Sequence, residues 1–200
     1  MNLQNMLPYL QEEEINELYQ KIIESQEGSF RGIKISMLLP YLNEKICNHL
    51  FMEALRKGGE YMSIAPFVND TIWDEIVNRY LNKELEIPIT KLFCYMDDQL
   101  ITKIYESVKA GTCPEIDINS MLPYLHEDLI NEEFERAISL GDDYKKFLPF
   151  ISESALHKYA VAYTQEDSTV LDIDAAFPFM SNADIKMIFQ FEMGKQIGSN

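Results

Sequence analysis

The stretch MLPYLQEEEI at residues 6–15 decides the fold, because it comes back six more times. It returns as LLPYLNEKIC (38–47), IAPFVNDTIW (64–73), LFCYMDDQLI (92–101), MLPYLHEDLI (121–130), FLPFISESAL (147–156) and AFPFMSNADI (176–185). With the proline as position zero, the copies centre on Pro8, Pro40, Pro66, Cys94, Pro123, Pro149 and Pro178. The steps between them are 32, 26, 28, 29, 26 and 29 residues, and six of the eight prolines of the chain sit at this one position. A regular period in this range marks a repeat architecture, in which no unit can bury its apolar face alone and neighbours must stack.

The positions around the proline recur for physical reasons. Position +1 is always aromatic, from Tyr9 to Phe179, and position +2 is always apolar, from Leu10 to Met180. Position +3 is polar: Gln11, Asn43, Asn69, Asp97, His126, Ser152, Ser181. Five of these are Asn, Asp or Ser, side chains that accept a hydrogen bond from an orphan N–H at a helix start. Position +4 is acidic in six copies, where the positive end of the helix dipole favours a carboxylate. Position +7 is apolar throughout, so +2 and +7 form the N′–N4 pair of a hydrophobic staple. A long helix of about 12–15 residues is therefore predicted from position +4 onward in each copy. Linkers containing Gly58-Gly59, Gly111 and Gly141 close several of them.

Upstream, position −5 is apolar in every copy (Leu3, Ile35, Tyr61, Ile89, Ile118, Tyr144, Ile173), and predicts a first, short helix of about two turns. Ser36, Thr90, Asn119 and Asp174 follow it and are candidate caps. The alternating stretches 33–35, 87–89, 116–118 and 171–173 read as extended linkers, with short strands as the minor alternative. The expected fold is all-α: a right-handed α-solenoid of seven helix-turn-helix repeats of about 28 residues. It forms a single domain over 1–200, with repeats at approximately 1–30, 31–57, 58–84, 85–111, 112–140, 141–168 and 169–200.

This pattern resembles the short α-solenoid repeats of the HEAT-like or leucine-rich-variant kind, and covers nearly the whole chain. It is also similar to the Leu-Pro-Phe/Tyr repeats of uncharacterised bacterial proteins. It departs from the tetratricopeptide pattern in period and in lacking that family's Trp, Gly and Ala signature. The resemblance implies a scaffold for binding other macromolecules. It assigns no activity, since a fold does not carry one.

Composition narrows the partners. Thirty-three acidic residues against 17 basic ones give a net charge of −16, which repels nucleic-acid phosphates and anionic lipid and favours basic partners. No apolar run reaches the roughly 18 residues needed to span a bilayer, and the N-terminus lacks a basic region followed by an apolar one. Cys47, Cys94 and Cys113 form neither a disulfide framework nor a zinc pattern. The expectation is a reduced, cytoplasmic, soluble protein. Cys47 and Cys94 take apolar repeat positions and are expected to be buried, while Cys113, beside Pro114 in a linker, is expected to be accessible.

The candidate binding residues are carboxylates at the starts of the long helices: Glu12, Glu13, Glu44, Asp70, Asp97, Asp98, Glu127, Asp128 and Glu153, with Glu14 and Asp184 in the same positions. In a solenoid these starts share one edge, so they would add up to an acidic rim for a basic protein partner. The blander reading is that each carboxylate serves only its own helix dipole. Asp142, Asp143, Glu166 and Asp167 fall in linkers and read as solvated charge. The repeated aromatics read as core or inter-repeat packing rather than as a binding stripe. His49, His126 and His157 occupy different repeat positions and make no metal or catalytic cluster. No catalytic motif, phosphate loop, calcium loop or cofactor signature is present.

Three functional classes follow. The first is a non-enzymatic protein-interaction scaffold with an acidic rim. The second is an acidic nucleic-acid mimic that inhibits a DNA- or RNA-binding protein. The third is an enzyme with a cleft on the concave face, formed by polar residues off the repeat pattern. The last long helix is apolar on more than one face (Ile185, Met187, Ile188, Phe189, Phe191, Met193), where a terminal repeat should be polar outside. Either the array continues, or the protein forms a homodimer through this C-terminal helix.

Overall fold

The structure, a computed structural model, describes residues 3–166 and 171–197, without the side chains of Gln196 and Ile197. Asp167 and the repeat boundary at 168/169 lie outside the described residues. The described chain is mostly helical. Seven long helices recur along it: α1 (Glu12–Ile23), α2 (Glu44–Lys57), α3 (Asp70–Leu81), α4 (Asp98–Lys109), α5 (Glu127–Leu140), α6 (Glu153–Thr164) and α7 (Asn182–Ile197). All seven begin at position +4, four residues after the proline position.

The caps explain this regularity. Asn43 accepts from Ile46 N at 3.0 Å, Asp97 from Leu100 N at 2.9 Å, Ser152 from Ala155 N at 3.3 Å and Ser181 from Asp184 N at 3.1 Å. At α1 the Gln11 N–H donates to Glu14 Oε2 at 2.8 Å, the carboxylate half of a capping box. Position +2 is extended in the copies at Leu42, Val68, Met96, Leu125, Ile151 and Met180, with ψ between 140° and 155°, and makes the corner. Gly58 and Gly141 follow α2 and α5 in the left-handed conformation, φ 66° and 70°, where a side chain would be strained.

The short upstream helices differ from expectation. Each ends at the aromatic +1 residue in a 3₁₀ turn, from Leu3–Tyr9 to Phe177–Phe179, and a single α-turn precedes it at Ile35–Leu38 and Ile173–Ala176. Proline lacks the N–H that an α-helix would need there, which favours the tighter turn. Ile89–Tyr95 is also 3₁₀ with Cys94 at the proline position, so packing holds the turn even without the proline. At Ile35 and Ile89 no side chain caps the short helix, and in two other copies the cap lies earlier than predicted. Asp117 and Asp172, at position −6, accept from Asn119 N and Ala175 N, because the turn starts at the apolar −5 residue itself. One of the four alternating stretches pairs as a strand: β2 (Ile33–Lys34) lies antiparallel to β1 (Ser29–Phe30).

The chain divides into two compact units, Met1–Leu100 and Ile101–Asn200. In each, the core is built from equivalent positions. Position −1 is buried in six copies (Leu7, Leu39, Ala65, Phe93, Leu122, Leu148), and position +7 in six (Ile15, Cys47, Trp73, Ile101, Ile130, Leu156). Position zero is exposed in all seven. Cys47 is buried as expected, but the other two cysteine expectations reverse: Cys94 is exposed because it occupies the solvent-facing proline position, and Cys113 is buried in its linker. The aromatic +1 residues are not core either. Five are half-buried, while Tyr9 and Tyr41 are exposed. Among the described residues no helix is long and apolar enough to cross a membrane.

Candidate functional site

The nine candidate carboxylates, Glu12, Glu13, Glu44, Asp70, Asp97, Asp98, Glu127, Asp128 and Glu153, are all exposed, as is Glu14. In the first unit, side chains tie consecutive helix starts together. Asn43 Nδ2 donates to Glu12 Oε1 at 2.9 Å, and one repeat later Asn69 Nδ2 donates to Glu44 Oε2 at 3.4 Å. The cap of one repeat thus holds the +4 carboxylate of the repeat before it. Asn48, at position +8, locks the same junction by exchanging two bonds with Asn69, at 3.0 and 3.1 Å.

Asp184 corrects the sequence reading. It is buried at 3% exposure, meets His157 Nδ1 at 2.6 Å and accepts from the Ser181 hydroxyl at 2.7 Å. His157 and His126 therefore serve helix starts, the latter receiving Asp128 N at 3.4 Å. His49 lines a surface cavity of about 540 Å³ with Met52, Arg56, Arg79, Glu84 and Glu86. Among the described residues no group of three His, Cys, Asp or Glu side chains is placed to hold a metal. Asp142 and Asp143 are exposed as expected, and Glu166 lies 3.7 Å from Lys195.

The second unit holds a site that the sequence reading missed. Glu133 is 0% exposed, at position +10, where other copies carry Leu18, Leu50, Ile76, Ile104, Tyr159 and Ile188. Tyr105 Oη donates to Glu133 Oε1 at 2.6 Å, and Lys109 Nζ donates to the same oxygen. Arg136 closes on the other oxygen, with Nε at 3.0 Å and Nη2 at 2.6 Å. Burial alone would raise the Glu133 carboxyl. The bonds from Arg136, Lys109 and Tyr105 outweigh that and hold it down at about 2. Burial, reinforced by the bond to Glu133, pushes the Tyr105 hydroxyl up. One signal was available: a carboxylate interrupting a run of apolar +10 residues.

The same chemistry recurs along this unit. Tyr159 donates to Glu135 at 2.8 Å beside Lys158, and Tyr163 donates to Glu192 at 2.9 Å beside Lys195. Each of these lysines also lies over the ring of its tyrosine, within 5.9 Å of the centroid. Each cluster joins the long helices of adjacent repeats. In each cluster one carboxylate is shared between a tyrosine hydroxyl and a lysine ammonium.

Comparison of the chain with protein-family models, with curated proteins and with solved structures finds no match.

Proposed function

We propose that the seven repeats stack as one right-handed α-solenoid over residues 1–200, and that the protein is a non-enzymatic protein-interaction scaffold of the cytoplasm. A basic protein partner docks along the helix-start carboxylates Glu12, Glu13, Glu44, Asp70, Asp97, Asp98, Glu127, Asp128 and Glu153. The observation that carries this reading is the exposure of all nine, together with the Asn43–Glu12 and Asn69–Glu44 bonds that set neighbouring starts side by side. Helix dipoles account for one carboxylate per start. The doubled acids at Glu12-Glu13, Asp97-Asp98 and Glu127-Asp128 exceed that need.

The test is capture of partners from a native lysate, eluted by stepped salt, with wild type and with the triple variant Glu44→Lys, Asp70→Lys, Glu127→Lys. A stoichiometric basic protein released at moderate salt from wild type and absent from the triple variant is the expected result. Equal retention by both would remove the rim from the binding surface. If the captured partner is itself a DNA- or RNA-binding protein displaced by nucleic acid, the scaffold is a nucleic-acid mimic.

A further inference from the structure

Contacts within each unit define which positions of a long helix face the repeat that follows. Position +4 meets the next cap, as in Glu12–Asn43. Position +8 meets the next cap or the next +6 carboxylate, as in Asn48–Asn69 and His157–Asp184. Position +11 meets the next −5 residue: Phe51 stands edge-on to Tyr61 at 5.9 Å and 85°, and Phe134 to Tyr144 at 6.0 Å and 84°. Position +15 meets the next +10, as in Lys109–Glu133.

In α7 these four positions are Asn182, Lys186, Phe189 and Met193, and all are exposed, Phe189 at 63% and Met193 at 47%. Position +11 is buried in the other six copies. Among the described residues Lys186 makes no ion pair. In the first repeat, the positions that receive a preceding helix line an open groove of about 310 Å³: Leu3 (−5), Glu14 (+6) and Leu18 (+10), with Met6, Glu17 and Phe30 beside them. Glu14 Oε2 holds its cap through Gln11 N, as Asp184 Oδ2 holds Ser181. Glu14 thus occupies the +6 position at which Asp184 offers Oδ1 to His157.

We infer that the groove of the first repeat is the seat for α7 of a second copy of this chain. The register of the internal junctions sets the contacts: Phe189 on Leu3, Met193 on Leu18, and Lys186 on Glu14. At the +8/+6 contact the charges are complementary, Lys186 meeting Glu14 as His157 meets Asp184. The interface is heterologous, head to tail, so it propagates into a chain of molecules unless its rotation closes a ring. It rests on the repeat stacking proposed above and needs no basic partner.

The experiment is sedimentation of the full chain across its soluble concentration range, with circular dichroism confirming that each variant folds. Wild type is expected to grow beyond a dimer with concentration. Phe189→Glu should raise the association midpoint by about tenfold or more, from the lost burial of one aromatic side chain. Lys186→Glu and Glu14→Lys should each raise it by about two- to fivefold, and the double variant should restore it. A wild type that stays at 23.3 kDa throughout overturns the inference, and leaves stacking within the chain untouched. Association that stops at a dimer and ignores Glu14→Lys also overturns it, in favour of α7 pairing with itself.

Discussion

The two units use one backbone register and join their repeats by different chemistry. In the first, the junctions are aromatic and amide, and the carboxylates in them, Glu12 and Glu44, accept from neutral Asn side chains. Asn43, Asn48 and Asn69 link the helix starts, and Trp73 lies between Tyr95, stacked at 5.6 Å and 9°, and Phe51, edge-on at 5.3 Å. In the second, carboxylates carry the junctions: Glu133, Glu135, Glu192 and Asp184 each bond to the neighbouring repeat. Repeat geometry constrains where a junction residue sits, and leaves free whether it acts through dispersion, amide bonds or charge. The difference predicts that acid sensitivity is concentrated in the second unit.

The largest effect expected is from Trp73→Ala, about 3–5 kcal/mol of stability, since a fully packed aromatic leaves a cavity between Phe51 and Tyr95. Urea unfolding by circular dichroism measures it. A loss below about 1 kcal/mol would mean that the aromatic junction is not what holds the first unit.

Glu133→Ala comes next, at about 3 kcal/mol, because it strands the charges of Lys109 and Arg136 beside an apolar hole. Those cations are partly exposed and can be hydrated. Glu133→Leu should therefore cost about 1 kcal/mol, filling the hole with the residue type that other copies carry at +10. If Leu is as damaging as Ala, the buried carboxylate specifies the junction rather than merely tolerating burial.

The acid response follows from the same residue. The Glu133 carboxyl lies near 2 in the folded chain against an ordinary value of 4.5, so on acidification the unfolded chain binds the proton first. The contribution is complete above pH about 4.5 and is lost as pH falls toward 2, an amount of order 3 kcal/mol. The only tryptophan, Trp73, reports the first unit by fluorescence. Over that window the urea midpoint followed by helical dichroism should fall further than the midpoint followed by Trp73 emission, and Glu133→Gln should close the gap. Parallel curves would show that acid does not distinguish the two units.

The smallest effect is from Asn69→Ala, about 1 kcal/mol, the loss of its amide bonds to Asn48 and Glu44 at a helix start. Asn48→Ala in the same chain should add little, since the two side chains act as one pair.

Much of the fold was legible because helix initiation is local. The residues that start α1 to α7 sit within eight positions of the proline, and caps, dipole-favoured acids and staples act over a single turn. The partners of those residues were not legible. Cys94 and Cys113 exchange the exposures expected of them, because the first follows the solvent-facing proline position and the second is covered by its linker. Asp184 reads as one more rim acid until His157, 27 residues away, is placed against it.

The period, the helical class, the starting residue of every long helix and the acidic character of those starts follow from the residues alone. These depend on contacts within one turn of chain. Packing between repeats sets which aromatics are half-exposed, that Glu133 is buried and satisfied by Tyr105, Lys109 and Arg136, and which face of α7 is left open. Those outcomes depend on the repeat next door. A periodic sequence states that neighbours exist, but burial and pairing energies arise only when a particular side chain meets a particular neighbour across the junction.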